Sequence, residues 1–240
     1  MPNRMTLKIA NLNIDVQYEN KKISDLCRDY VVDEKGSDIR VIYDKEMCEN
    51  EAALSGHTGA PAEFASIYRQ IAEALPRYHR AVFHGAVVSY DGKAYMFIAK
   101  SGTGKTTHIN LWRKYFEGVD IINGDKPIIA MESEKAVAYG TPWAGKEMCQ
   151  KNTCAPLGGI CLIKRGSKNS IKKIEKDDLL GTVLRQVYMP ENADSLNLTM
   201  KIIDDIISLV PIYELTCDIS KEAAECSFKA LTKHNLMSDV

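Results

Sequence analysis

Residues 99–106 read Ala-Lys-Ser-Gly-Thr-Gly-Lys-Thr. They fit the phosphate-binding pattern G-x-x-x-x-G-K-[ST], with Ala99 at the first glycine position. Phosphates are bulky and multiply charged, so a loop that grips them aims backbone N–H groups inward. Gly102 and Gly104 give the backbone the required freedom, and Ser101 and Thr103 contribute mainly their N–H groups. Lys105 would reach the β- and γ-phosphates, the Thr106 hydroxyl would ligate Mg²⁺, and Thr107 would lie near the α-phosphate. The ligands this pattern calls for are ATP, or a related nucleoside triphosphate, and Mg²⁺.

Such a loop works only between a strand and a helix. Ala94-Tyr95-Met96-Phe97-Ile98 is an apolar run of strand length. After the loop, Ile109, Trp112, Tyr115 and Phe116 recur at helical spacing and Gly118 supplies a stop. That spacing makes the aromatic residues core, and His108 is expected on the outer surface of the helix. A glycine-rich turn before any helix is the competing reading of the octapeptide.

The strand before the loop has an immediate predecessor, His84-Gly85-Ala86-Val87-Val88-Ser89-Tyr90, joined to it through Asp91-Gly92. Asp-Gly between strands signals a tight hairpin, so the loop strand is expected to pair antiparallel with its neighbour. Most phosphate loops instead follow a strand in a parallel sheet, reached through a helical crossover.

The chain has 240 residues and a formal net charge of −1. With 45% hydrophobic and 26% charged residues it reads as a globular protein with a sizeable core. Near-neutral charge argues for neither a nucleic-acid nor a membrane partner. No apolar run reaches spanning length, and Met1-Pro2-Asn3-Arg4-Met5 lacks a signal-peptide core. Seven scattered cysteines without an export signal suggest free thiols and a cytoplasmic location. Cys149 and Cys154 are the closest pair, but no second pair follows to complete a zinc site. Self-association into a homo-oligomer stays open.

Leu7–Ile9, Leu12–Val16 and Ile39–Tyr43 are strand candidates, giving a small β-rich region over 1–61. Residues 44–62 look polar, with Ser55-Gly56-His57-Thr58-Gly59-Ala60-Pro61 as the expected loop. A helix is expected from Ala62 to about Leu75, opening a second region over 62–240. Further strands are expected at Val119–Asn123, Pro127–Met131, Ala136–Tyr139, Ile160–Leu162 and Ile212–Asp218. Helices are expected at Asp177–Tyr188, Leu196–Leu209 and Lys221–Asn235. The fold class is α/β, with a mixed sheet and the helices mostly late. The lysine-rich stretch Lys164–Lys176 reads as a solvated strand-turn surface.

The His-Gly-Ala-Val-Val-x-x-x-Gly segment at 84–92, the loop, and an acid closing the next strand resemble HPr kinase/phosphorylase and ATP-dependent phosphoenolpyruvate carboxykinase. Gly140-Thr141-Pro142-Trp143-Ala144-Gly145 and Ala155-Pro156-Leu157-Gly158-Gly159-Ile160 resemble bacterial HPr-kinase-related proteins. The resemblance covers about residues 80–165. It implies a P-loop kinase-like fold with the β-rich region appended, ATP and Mg²⁺ as ligands, and a hydroxyl-bearing acceptor. In those kinases a histidine at the position of His84 lies near the phosphates and the acid. They carry two adjacent acids after the strand, whereas here Asn123-Gly124-Asp125-Lys126 holds one.

Asp125 ends an apolar strand, where a Mg²⁺-contacting carboxylate belongs. A plain Gly-Asp-Lys-Pro turn is the alternative. His84 is a candidate to orient Asp125 or the acceptor hydroxyl, or to act as base, against a purely structural histidine. Lys146 and Glu147 follow a glycine-flanked turn. The lysine is a candidate to close over the γ-phosphate and Glu147 to supply a base, with a solvated loop as the alternative. Lys151, Lys164, Arg165 and Arg185 are further cationic candidates. The expected function is phosphoryl transfer from ATP to a serine-like hydroxyl on a peptide, protein or small metabolite. A nucleotide-responsive binding protein is the alternative, and the chain is short for a carboxykinase acting on oxaloacetate.

Overall fold

Alternating apolar and polar residues at the start of the chain make two paired strands, β1 (Asn3–Ile9) and β2 (Leu12–Tyr18). A short helix α1 (Lys22–Leu26) follows, then β3 (Val31–Val32) and β4 (Ile39–Val41), which complete a four-stranded sheet in the order β3-β1-β2-β4. The molecule is seen here in a computed structural model that describes residues 2–175 and 180–233.

The polar segment 44–62 is largely helical, and the loop expected over 55–61 shrinks to the residues between Ser55 and Ala60. The segment holds helix α2 (Lys45–Ser55), capped by the Asp44 carboxylate, which accepts from Met47 N–H at 3.0 Å. The helix ends on Gly56 in the left-handed region. Its apolar face is thin, which is why periodicity hides it while both caps are written in the sequence. Helix α3 (Ala60–Ala74) follows with a clear apolar face. Its buried Glu63 accepts from the backbone N–H groups of Glu19 (2.6 Å) and Asn20 (3.0 Å), fastening it to the end of β2.

The rest of the chain builds a nine-stranded mixed sheet and four helices among the described residues. In chain order they are β5 (Arg80–Val82), β6 (Gly85–Tyr90), β7 (Lys93–Ile98), α4 (Lys105–Tyr115), β8 (Asp120–Asn123), β9 (Ile128–Glu132), β10 (Lys135–Tyr139), β11 (Cys154–Arg165), β12 (Ser170–Lys173), α5 (Leu180–Leu184), α6 (Ala193–Leu209), β13 (Ile212–Cys217) and α7 (Lys221–Lys233). The mixed α/β class expected from the sequence is the one found. Of the helix expected over 177–188, residues 177–179 lie outside the described set, as do Lys176 and residues 234 and 235 at the end of the last expected helix. The described part of the first stops at Leu184, because Val187 bridges to Phe83 and Tyr188 N–H donates to Val82.

The hairpin forms as its turn dictates. Asp91 and Gly92 take φ of 49° and 71°, and β6 pairs antiparallel with β7 from Tyr90↔Lys93 to Gly85↔Ile98. On the far side of β6 lies β8, also antiparallel, with Asn123 opposite Val87. On the far side of β7 lies β11, parallel to it, and β13 runs parallel beyond β11. So β7, β8, β11 and β13 all point the same way, and their carboxyl ends gather at one edge. In open α/β sheets that edge is where ligands bind.

Helices α4 and α7 cover one face of this sheet and α6 the other. A third apolar cluster joins the first sheet, α3, and residues of β5, β9 and β10. Trp112 is fully buried between α4 and α7, its indole N–H donating to Ser227 Oγ at 2.8 Å. His108, expected on the surface, is buried beside it, with Nε2 2.8 Å from the same hydroxyl. Residues 105, 108, 109 and 112 form the inward stripe of α4.

Burial pulls the His108 imidazole down from 6.5 to about 4. Because the folded value is depressed, the folded state resists protonation and the unfolded chain does not. Stability is therefore whole above pH 6.5 and declines as pH falls toward 4. Between pH 7 and pH 5 this one group is expected to remove about 2 kcal/mol. Urea unfolding of wild type and His108→Gln at the two pH values measures it, and an equal decline in both proteins would refute the assignment.

Candidate functional site

The phosphate loop leaves β7 at Ala99 and becomes helix at Lys105. Gly102 and Gly104 take φ of +75° and +121°, where a side chain would strain the backbone. Ala99 is fully buried and keeps an ordinary backbone, so the first position tolerates a methyl group. The sequence-expected loop residues Ser101, Gly102 and Thr107 are exposed, and Thr103, Gly104 and Thr106 partly so. Lys105 is tucked back, its Nζ 3.2 Å from both the Ala99 carbonyl, to which it donates, and His84 Nε2.

The register of the sheet brings His84 there. It precedes Gly85, which lies opposite Ile98, the last residue before the loop. A Cβ at residue 85 would come within 3.1 Å of Met96 Cγ and 3.2 Å of the Phe97 carbonyl, so glycine permits this close approach. His84 N–H donates to the Gln186 carbonyl at 2.6 Å. With its nitrogen turned toward them, the Gln186 amide donates to the carbonyls of His84 (3.3 Å) and Ala99 (3.2 Å), tying histidine and loop together.

On the other side of β6, the chain turns after β8 to present Asp125. Its Oδ1 is 3.2 Å from His84 Nε2 and its Oδ2 is 3.3 Å from Lys126 Nζ. The turn hangs on Asn123, which is fully buried. Asn123 Oδ1 accepts from the backbone N–H groups of Asp125 (2.9 Å) and Lys126 (2.8 Å). Its Nδ2 donates to the Thr141 carbonyl (3.0 Å) and hydroxyl (3.1 Å). Gly124 explains why a second acid is missing on that side. A Cβ there would lie 3.0 Å from the Ala144 carbonyl and 3.4 Å from that of Cys149. On the other side, Lys126 supplies a cation instead.

His84 Nε2 has two suitors. It can donate a proton to Asp125, or leave its lone pair for the Lys105 ammonium, but one nitrogen does not do both. Burial raises the affinity of Asp125 for a proton, yet the hydrogen bond from His84 and the charge of Lys126 outweigh it, so the carboxyl sits below its ordinary range. Burial lowers the Lys105 ammonium, with Asp125 opposing and Lys126 adding to the effect.

Thr106 stands on the first turn of α4, and Asn110 one turn further on. Glu147 meets Asn110 there, Oε2 accepting from Nδ2 at 3.4 Å, and does not join the His84–Asp125 pair. It belongs to a strap that passes over Asp125, where a Cβ at Gly145 would be 3.1 Å from the Asp125 Cβ. The strap is anchored by Trp143, whose rings stack obliquely on Phe64 and edge-on to Tyr68, each at 5.5 Å. Of the further cations, Lys151 pairs with Asp120 (2.8 Å) and Lys164 with Glu214 (2.6 Å). Arg185 is exposed, while Arg165 reaches the loop itself.

Beyond the carboxyl ends of β11 and β13, next to the loop, lies a cavity of ≈ 650 Å³. Thr107, Leu111, Ile163, Arg165, Cys217 and Ile219 are among its walls. Its size suits a nucleoside. Thr106 and Asp125 offer the hard oxygen ligands that Mg²⁺ prefers, and Gly102 and Gly104 leave the loop open to phosphate. Sequence reasoning missed Gln186 and the structural role of Asn123. The Asn-Gly-Asp composition is a turn signal that points to the latter.

No family model matches this chain, and comparison with curated proteins finds no match. Among solved structures, it is similar to the HPr(Ser) kinase/phosphatase from Coxiella burnetii, at 9% identity and a TM-score of 0.39. The match covers 65% of this chain and 90% of that one. Among the described residues no helix is long and apolar enough to cross a membrane.

If Asn123 carries the Asp125 turn, Asn123→Ala strands two part-buried donors and two buried acceptors. It is expected to cost at least about 2 kcal/mol in chemical denaturation. A change within experimental error would show that the turn stands without it.

Proposed function

We propose that this protein is an ATP- and Mg²⁺-dependent kinase that transfers the γ-phosphoryl group to a serine-like hydroxyl on a peptide, protein or small metabolite. One observation carries the reading: the loop lysine and a carboxylate converge on a single imidazole nitrogen, His84 Nε2. Holding a nucleotide needs a lysine and backbone amides. An imidazole–carboxylate pair facing the same lysine suits proton handling as well.

In this reading the loop amides and Lys105 bind the β- and γ-phosphates, and the cavity beside Thr107 takes the nucleoside. Thr106 and Asp125 hold Mg²⁺, which when bound supplies charge neutralisation on the phosphate oxygens. The low affinity of Asp125 for protons fits a metal ligand better than a base. Phosphate draws Lys105 away from His84, and the freed imidazole takes the proton of the acceptor hydroxyl. Gly124 or Lys126 stands where the kinases this chain resembles carry a second acid, and the Lys126 ammonium pairs with Asp125. Glu147, on the strap, accepts from Asn110 one helical turn beyond Thr106 and stands apart from the His84–Asp125 pair. The Lys126–Asp125 ion pair also favours the second reading, a nucleotide-responsive binding protein with little catalysis.

Purified protein with labelled ATP, Mg²⁺ and serine-containing acceptors is expected to transfer label. Loss of the base in His84→Ala should slow transfer by about 10²- to 10⁴-fold with nucleotide binding retained. Lys105→Ala should abolish binding and transfer together. Tight nucleotide binding with no transfer to any acceptor would favour the second reading instead.

A further inference from the structure

The phosphate loop is gripped from behind by a residue of another strand. Arg165 closes β11, whose Leu162 lies opposite Ile98 of β7, so it stands three residues past the end of β7 and alongside the loop. Its Nε donates to the Thr103 carbonyl at 3.0 Å and its Nη2 to the Gly102 carbonyl at 2.5 Å. In a trans peptide unit the C=O and N–H point in opposite directions. Holding the Thr103 carbonyl therefore turns the Gly104 N–H away from Arg165. Holding the Gly102 carbonyl likewise fixes the Thr103 N–H, which closes a turn onto the Lys100 carbonyl at 3.1 Å.

The stretch so held lies between the two glycines of the loop, the part of the backbone with the widest conformational choice. A planar guanidinium offers its donors at fixed angles to two peptide planes, a rigidity that the rotating ammonium of lysine lacks. Arg165 is itself exposed, so the fold does not need it to fill space. It also forms part of the wall of the cavity beside Thr107 and so touches loop and cavity together.

We propose that Arg165 is a positioning residue for polyphosphate binding, presetting the loop's peptide planes before nucleotide arrives. The proposal rests on the kinase reading above. Preorganisation lowers the ordering cost of binding, so its loss shows in affinity rather than in fold.

The test is calorimetric binding of Mg²⁺-ATP to wild type, Arg165→Gln and Arg165→Lys, with melting temperatures of the free proteins alongside. Arg165→Gln is expected to bind at least about tenfold more weakly while melting close to wild type, and Arg165→Lys to recover only part of the loss. Unchanged affinity in Arg165→Gln overturns the proposal, whatever happens to its melting temperature. Full recovery with lysine overturns the fork argument. Should the glutamine variant fail to fold, the lysine variant carries the same comparison. A wild-type protein that binds no nucleotide overturns the kinase reading and this inference with it.

Discussion

Asp125 faces the phosphate loop only because a buried amide holds the turn that carries it. The Asn123 side chain spends all its hydrogen-bonding groups on one task, two acceptances from the turn and two donations to Thr141. Thr141 in turn donates to the Lys126 carbonyl at 2.7 Å, closing a ring of bonds around the turn. In a buried setting such a network is high-stakes: satisfied throughout it fixes one geometry, and broken anywhere it leaves orphaned polar groups. The Gly124 backbone then meets the strap so closely that any side chain would press on the Ala144 carbonyl. Position and composition of the acid are thus set by packing as much as by chemistry.

The charges around the loop follow a similar economy. Lys105 and Lys126 lie on either side of one carboxylate, and His84 joins Asp125 to Lys105. Left to themselves, two ammonium groups and one carboxylate leave excess positive charge in a partly buried place. Burial depresses the Lys105 ammonium, and the charge of Lys126 adds to the effect while Asp125 opposes it.

Part of this was legible in the chain and part was not. The strand, turn and helix around residues 99–106 could be read because the apolar run, the two glycines and the helical spacing after them are all local. The hairpin could be read because Asp-Gly is a local instruction. Helix α2 escaped because its apolar face is thin, although Asp44 and Gly56 marked both ends. His108 was placed outside by its polarity, when its spacing from Lys105, Ile109 and Trp112 put it inside; a serine on α7 makes that burial affordable. Arg165 stood among several undistinguished cations, because its partners lie more than sixty residues away along the chain and only the parallel pairing of β11 with β7 brings them together.

The Asp91-Gly92 turn has a reach that its position disguises. It lies at the far end of the β6–β7 ribbon, six residues and roughly 20 Å from His84 at an antiparallel rise of about 3.4 Å per residue. Yet the turn counts out the pairing that puts Gly85 opposite Ile98. One residue inserted there would slip the ribbon by a step and carry His84 to the opposite face of the sheet from the loop lysine. Many surface connections can change length without moving a side chain in the sheet, but this remote bend acts as a ruler for the approach of His84 to Lys105.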